Sequence, residues 1–222
     1  MKKMNYFKSI LVALSVALSF TTVSAQKLIA GWDFQTTSIG GTAIVPTKDM
    51  QNFSQTVYVA NFGSGTLYLD GTYGSGSYKV WSITSNNGVG DWPNAGDGFS
   101  EEQKNPAALA IGKSVNNGKS IVFKFSMKDF KNLAISYATL VAPNGFNSQT
   151  WAFSKDGKIW VDCSSTTLDE RNVFKLVKVP AISPLDNVSE AFFKITLNGA
   201  TTEDGTSQVR FDNIKFKATS IK

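Results

Sequence analysis

The two ends of the region after residue 25 constrain the fold most. The stretches Lys27–Phe34 and Gln208–Lys217 both alternate apolar with polar residues, which is the pattern of half-buried strands. Between them, short apolar runs are separated by Gly, Ser and Asn turns, and no run has helical periodicity. Pairing the last strand with the first would protect a sheet edge. The sequence therefore predicts an all-β fold, a single jelly-roll-type β-sandwich of two antiparallel sheets.

The closing strand has a break in its alternation. Val209 and Phe211 share one parity, whereas Ile214 and Phe216 share the other. An extra residue in the ladder would let all four face one core, so we expect a β-bulge at 212–213. Burial of the strand on both faces is the alternative. The interleaved charged residues argue against it; they are Arg210, Lys215 and Lys217.

Residues 1–25 have the features of a secretory signal peptide. A basic start precedes the apolar run 10–20, and the small residues of Val23-Ser24-Ala25 follow it. The run is too short to cross a bilayer comfortably, and we expect no transmembrane segment in the mature chain. We therefore expect an exported protein, periplasmic or extracellular, whose single domain comprises residues 26–222.

Composition excludes several classes of function. The chain has 22 Lys+Arg against 17 Asp+Glu, but the signal segment supplies three of those lysines, so no basic surface for nucleic acid is expected. It has no histidine, which removes catalytic triads and histidine-bound zinc. Its one cysteine, Cys163, cannot form an intramolecular disulfide and is expected to be a buried apolar residue.

Aromatic residues near loops are the candidate ligand-binding residues. Flat aromatic rings can stack on sugars while nearby polar groups bond the hydroxyls; covering the core is the alternative role. Trp92 lies in the long segment 84–106, whose lack of pattern favours a binding loop. The candidates for glycan binding are Trp92, Trp81, Tyr73 and Tyr78. For the tryptophans on strands, core positions are expected; these are Trp32, Trp151 and Trp160.

Carboxylates offer two further candidate sites. If the end strands are neighbours, Asp33 and Asp212 could meet near the bulge and bind calcium; contacts with backbone amides or water are the alternative. The long segment also contains four acids that could bind calcium or form a glycosidase pair, although a solvated acidic loop is favoured. They are Asp91, Asp97, Glu101 and Glu102.

A hairpin is expected at Ser154–Trp160, because Asp156-Gly157 is a strong turn signal. The stretch resembles the Asp-box turn of sialidase propellers, with one residue fewer between the aspartate and the glycine. Asp boxes are structural turns, so Trp160 is expected to pack beneath the hairpin.

The order of these features resembles a broad group of secreted bacterial jelly-roll modules, similar to galactose-binding-like and carbohydrate-binding domains. The resemblance rests on the opening Gly31–Phe34, the strands 119–126 and 132–138, the stretch 146–157 and the closing 209–216. It implies the fold more than a ligand. It also implies a structural calcium near the first and last strands, at Asp33 and Asp212.

These observations favour a secreted noncatalytic module whose partner is a glycan. A structural or adhesive cell-envelope protein that binds another protein is the alternative. A glycoside hydrolase that uses carboxylates alone ranks last. No cofactor is expected beyond the candidate structural calcium.

Overall fold

The computed structural model describes residues 25–34, 58–70, 78–82, 93–97, 99, 107–204 and 206–222, with backbone alone at 78–82 and 107. Thirteen strands lie within these ranges. They are β1 (Gln26–Trp32), β2 (Tyr58–Val59), β3 (Phe62–Gly63), β4 (Gly65–Asp70), β5 (Tyr78–Ser82), β6 (Ala107–Gly112), β7 (Ser120–Phe125), β8 (Phe130–Val141), β9 (Ser148–Ser154), β10 (Val161–Thr167), β11 (Lys175–Val179), β12 (Ala191–Asn198) and β13 (Gln208–Ser220). Two short 3₁₀ turns, Ser114–Asn116 and Ser183–Leu185, are the helical segments of the described ranges.

The strands form two sheets, and every strand pair is antiparallel. Sheet A has the order β11-β8-β13-β1-β3, and β6 joins β13 and carries β5. Sheet B has the order β10-β9-β12-β7-β4-β2. The predicted β-sandwich of two antiparallel sheets is thereby confirmed. Within the described ranges, no helix has the length and apolar character needed to cross a membrane.

The first and last strands pair, as the sequence predicts. Gln26 lies opposite Thr219 and Trp32 lies opposite Ile214. On the N-terminal side of Ile214, β13 pairs with β6 instead of β1, and Phe211 lies opposite Leu109. Because β8 lines its other side throughout, β13 is the central strand of sheet A.

The predicted bulge is also confirmed. The register with β8 shifts between Asp212 and Lys215, and Asn213 has a φ of 46°. Val209, Phe211, Ile214 and Phe216 are all 0% exposed. Burial of β13 on both faces, the alternative to the bulge, is partly correct as well, because Lys215 on the opposite face is only 2% exposed. Lys215 can be buried because its ammonium donates to the carbonyl oxygens of Ala95 and Gly96.

Aromatic side chains fill the space between the sheets. Phe216 of β13 has Trp32, Phe123 and Phe125 around it, with ring centroids 5.6, 5.1 and 4.8 Å away. Each fully buried side chain of this size contributes roughly 1.5–3 kcal/mol. Core burial therefore supplies the stability that a chain with one cysteine cannot obtain from disulfides.

The hairpin of β2 and β4 crosses from one sheet to the other. Tyr58 pairs with Leu67 in sheet B. Between these strands, Phe62 and Gly63 form β3, which pairs with β1 in sheet A. Gly63 has a φ of +69°, and a Cβ there would lie 2.1 Å from the carbonyl oxygen of Ile29. The crossing therefore requires glycine at this position.

A buried polar network lies within the sandwich at the β8–β9 side. The Tyr137 hydroxyl donates to Gln149 Oε1 at 2.5 Å and accepts from Trp151 Nε1 at 3.0 Å. Burial raises the pKa of the Tyr137 hydroxyl far above its ordinary value. The tyrosine therefore stays a neutral donor, and its partners fix the facing of β8 and β9.

Candidate functional site

The four aromatic candidates fall largely outside the described residues. Trp92 and Tyr73 are not described, and β5 is described by its backbone alone. In β5, Trp81 pairs with Ala108 and Tyr78 pairs with Ile111. Successive positions of a strand alternate between faces, so Trp81 and Tyr78 occupy positions on opposite faces of sheet A. The glycan role of all four residues stays a prediction.

Part of the long segment is fastened to the outer face of sheet A by Lys215. Its ammonium donates to the carbonyl oxygens of Ala95 and Gly96 at 2.8 and 2.6 Å. It also lies 3.3 Å from Asp97 Oδ2. Residues 95–97 thus supply the oxygens that a buried ammonium needs. We call this arrangement, residues 93–97 and 99 held by Lys215 and its neighbours, the lysine clasp.

Asparagine side chains complete the lysine clasp at the bulge. Asn94 Nδ2 donates to the carbonyl of Asn213 at 2.6 Å, and Asn213 Nδ2 donates to the carbonyl of Pro93 at 3.2 Å. Ser136 of β8 donates its hydroxyl to Asn94 Oδ1 at 3.0 Å. The bulge therefore presents the polar groups that hold the segment immediately after Trp92.

Charge also shapes the lysine clasp. Asp97 accepts from Lys217 Nζ at 3.1 and 3.2 Å besides its contact with Lys215. Partial burial opposes ionisation of Asp97, but hydrogen bonds from Lys217 and Lys215 outweigh it and lower the pKa of this carboxyl. Of the four loop acids, the other three lie outside the described residues. For Asp97 the structure shows ion pairing with two lysines, not a solvated side chain alone.

Phe99 closes the lysine clasp on its apolar side. Its ring stacks on Phe62 with centroids 4.5 Å apart, and Lys215 Nζ lies 4.8 Å from the Phe99 centroid. A Cβ on Gly31 would lie 2.5 Å from Phe99 Cζ. Glycine at position 31 is therefore what lets the phenylalanine sit flat against β1.

The candidate metal ligands lie at nearby backbone positions of sheet A, where β1 ends beside the bulge of β13. Asp33 follows Trp32, the last paired residue of β1, and is 8% exposed, while Asp212 is 0% exposed. One Asp212 oxygen accepts from the backbone N–H of Asn213 at 2.7 Å. Among the described residues, buried Asn213 Oδ1 has no hydrogen-bond partner. Two carboxylates and an amide oxygen are the donor types that calcium takes, so the donor set fits this ion.

That donor set is small. In the part of the chain that the structure describes, no three Asp, Glu or Cys side chains gather as a metal site. Backbone carbonyls or waters would have to supply the remaining ligands. The calcium site accordingly stays a proposal.

A groove on sheet B was not expected from the sequence. It has a volume of about 350 Å³ and lies beside the end of β2, the start of β4, the end of β7 and the connection before β12. Opposed charges lie at its wall, since Lys124 Nζ and Glu190 Oε2 are 2.6 Å apart and both side chains are about half exposed. The lining residues are Val59, Gly63, Ser64, Gly65, Thr66, Lys124, Phe125, Ser126, Ser189 and Glu190. We call this the β4 groove.

The outer face of sheet B continues from the β4 groove to Tyr68. Thr66 pairs with Lys124, and Tyr68 pairs with Val122, so both β4 residues face outward together. Burial and the charges of Asp70 and Glu190 raise the pKa of the Tyr68 hydroxyl. The hydroxyl therefore stays protonated at neutral pH, beside a groove whose walls carry hydroxyls and an ion pair.

Signals for this face were present in the sequence. In Thr66–Asp70 the leucines alternate with Tyr68, and Lys124 stands between Phe123 and Phe125. Inward leucines and phenylalanines imply that Tyr68 and Lys124 point outward. Glu190 lies in a connection before β12, and no local pattern indicated its partner.

The expectation of core burial is wrong for Trp160. Trp32 and Trp151 are 1% and 3% exposed, as predicted, but Trp160 is only partly buried. It precedes β10 instead of lying on a strand, and Lys194 Nζ lies 4.4 Å from its ring centroid. The turn before it displaces the start of β10 to Val161, so the indole reaches the outer face of sheet B and not the core.

The predicted hairpin forms, with a connection between β9 and β10 that is longer than a two-residue turn. Ser154 Oγ accepts from the backbone N–H groups of Asp156 and Gly157, at 3.2 and 2.9 Å. Asp156 Oδ1 accepts from those of Lys158 and Ile159, at 2.8 and 2.9 Å. The bonds from Ile159 and Lys158, followed by one that the Ser154 hydroxyl donates, lower the pKa of the Asp156 carboxyl.

No family model matches the chain, and no curated protein matches its sequence. Solved structures with a similar fold are found. One is the CBM22-1 xylan-binding domain of Paenibacillus barcinonensis Xyn10C, with a TM-score of 0.47 at 8% identity, covering 89% of this chain and 97% of that one. Another is TmCBM61 in complex with β-1,4-galactotriose, with a TM-score of 0.39 at 12% identity, covering 68% and 86%.

A third is the K1 cleaved adhesin domain of Lys-gingipain from Porphyromonas gingivalis, with a TM-score of 0.38 at 10% identity, covering 71% of this chain and 100% of that one. The first two of these structures are carbohydrate-binding domains and the third is an adhesin domain. Likeness at this level of identity does not transfer a ligand to this chain.

Proposed function

We propose that the protein is a noncatalytic binding module whose ligand is a carbohydrate. The β4 groove is the observation that carries this proposal. Its lining combines serine and threonine hydroxyls with the Lys124–Glu190 pair, and Tyr68 continues the same face. Sugar hydroxyls both donate and accept, so they suit a wall that offers ammonium, carboxylate and hydroxyl groups. An aromatic ring beside such a wall offers a stacking surface for a sugar face.

The composition of the β4 groove also supports a noncatalytic role. Among the residues that line it, Glu190 is the one carboxylate, and Lys124 holds it in an ion pair. Hydrolysis of a glycoside by carboxylates needs two of them, roughly 5–10 Å apart. A groove with a single paired carboxylate is suited to binding.

The loop aromatics belong to the same proposal as a second contact region. The lysine clasp holds Pro93 to the bulge, so the residue before it, Trp92, is attached to an anchored segment. Anchoring lowers the entropy lost when a loop binds a ligand. Trp92, Trp81, Tyr73 and Tyr78 stay the candidates there.

A glycan array with the chain from Gln26 onward tests the proposal. Wild type is compared with Tyr68→Ala, Glu190→Gln and Trp92→Ala, and with Thr150→Ala as an exposed control on sheet B. We expect binding that Tyr68→Ala and Glu190→Gln weaken about tenfold or more, while Thr150→Ala and the melting temperature stay unchanged. Loss with Trp92→Ala alone would move the site to the long loop. Absence of wild-type binding to every glycan would refute the function.

A further inference from the structure

The end of the β9–β10 hairpin exposes apolar side chains that folding leaves uncovered. Ile159 is 74% exposed and Val161 is 50% exposed, and Trp160 between them is only partly buried. We call residues Lys155–Val161 the hairpin tip. Three consecutive large apolar residues at a projecting turn are unfavourable in water, and such a patch commonly marks an interaction surface.

Exposed cations surround these residues. Lys155 and Lys158 flank the turn and are exposed, and Lys194 lies over the Trp160 ring. None of these three lysines forms an ion pair within the described part of the chain. Asp156 accepts hydrogen bonds from the amides of its own turn. Asp162, which follows Val161, is the next acid along the chain.

The backbone of the hairpin tip is prepared for a less polar environment. The N–H groups of residues 156–159 are all bonded to Ser154 or Asp156 side chains. An N–H that loses water without a partner is costly, so these bonds remove a main obstacle to burial. The turn is also fixed before contact, which limits the entropy lost on docking.

We propose that the hairpin tip docks into the headgroup layer of an anionic lipid bilayer. Isoleucine and valine enter the boundary between headgroups and acyl chains, and tryptophan favours that boundary. The lysines meet lipid phosphates, which attract basic residues near the surface. A short apolar tip ringed by unpaired cations favours lipid over a second copy of the chain or another protein. This surface is separate from the β4 groove, and the proposal does not depend on glycan binding.

Co-sedimentation with vesicles tests the proposal. The chain from Gln26 is used, because the apolar segment 10–20 would bind bilayers by itself. Vesicles contain phosphatidylcholine alone or an equimolar mixture with phosphatidylglycerol. The double variant Ile159→Ser/Val161→Thr removes the apolar contact, and Val115→Ser is its control at another exposed valine, which is 53% exposed.

We expect wild type and Val115→Ser to bind the anionic vesicles and the double variant to bind about tenfold or more weakly. Lys155→Gln/Lys158→Gln should weaken binding severalfold, and Lys128→Gln/Lys131→Gln, which changes two exposed lysines elsewhere, should not. Failure of wild type to bind anionic vesicles overturns the proposal, as does equal binding by the apolar double variant. Concentration-dependent dimerisation that this variant abolishes, without vesicle binding, would overturn it in favour of a second copy.

Discussion

Replacing Lys215 by methionine tests whether the lysine clasp stabilises the fold. The substitution keeps an apolar side chain of similar length but removes the ammonium from the carbonyls of Ala95 and Gly96 and from Asp97. Hydrogen bonds to a charged group contribute roughly 1.5–3 kcal/mol each, and orphaned carbonyls add a similar cost. Burial of the charged ammonium is unfavourable and lowers the pKa of Lys215. Methionine removes this unfavourable burial, which offsets part of the lost hydrogen-bond energy. We expect a net loss of about 2–3 kcal/mol in the free energy of unfolding.

Lys217 provides a matched control on the same strand. It contacts the same carboxylate, but its side chain is 29% exposed. An ion pair of this kind contributes roughly 0–1 kcal/mol, so Lys217→Met should cost less than about 1 kcal/mol. Urea unfolding of both variants, extrapolated to water, gives the two values. Equal losses, or a loss below about 0.5 kcal/mol for Lys215→Met, would refute the reasoning.

Hydrogen exchange adds a local measurement to the same pair of variants. The amides of Gly96 and Phe99 bond each other's carbonyls at 3.2 and 3.1 Å. If the segment detaches without global unfolding, these two amides should exchange faster in Lys215→Met while β13 stays protected. Unchanged exchange at both amides would show that another contact holds the segment.

Three further results are expected. Folding lowers the pKa of Asp97, so its ionised carboxylate stabilises the fold fully above about pH 4. This stabilisation is lost as the pH falls through the folded pKa, and acid unfolding of Asp97→Asn should therefore depend less on pH. Gly31→Ala should cost about 1–3 kcal/mol by displacing Phe99, and much less in a Phe99→Ala background, as a double-mutant cycle would show. If calcium binds at Asp33 and Asp212, EDTA should lower the melting temperature of wild type and leave Asp212→Asn unaffected; no change in wild type after thorough chelation would count against the ion.

The architecture could be predicted because it depends on repeating patterns. Alternation in the end strands indicated their pairing, and the change of parity between Phe211 and Ile214 indicated the bulge. Both signals reflect a single physical requirement, that every apolar side chain of β13 faces the same core.

The lysine clasp could not be predicted, because its partners are backbone oxygens. Lys215 has the ordinary appearance of an outward charge on a strand, and its sequence neighbours do not contain the carbonyls that bury it. Residues 95–97, more than a hundred positions earlier, supply them. Backbone acceptors carry no side-chain signature, so a segment that buries a cation in this way resembles an ordinary loop in sequence.

The prediction for Trp160 was wrong for a local reason. Trp160 was expected to lie on a strand, but Ser154 and Asp156 bond the turn amides and β10 begins only at Val161. A shift of a few residues in where a strand begins changes which side chains reach the core. The β4 groove was missed because its wall joins residues from connections that lie far apart in the sequence.

The central place of β13 has a consequence for how the protein is made. β13 follows every other strand in sequence, yet β1, β6 and β8 all pair with it. A growing chain that lacks β13 therefore cannot assemble sheet A, however much of it has been synthesised. Completion of the fold therefore waits for the last strand, and sheet A forms only after nearly the whole chain has been synthesised. Joining Ser220 to Gln26 and opening the chain at the β9–β10 turn would give a permutant in which β13 is made early, and its sheet A should begin to assemble before synthesis ends.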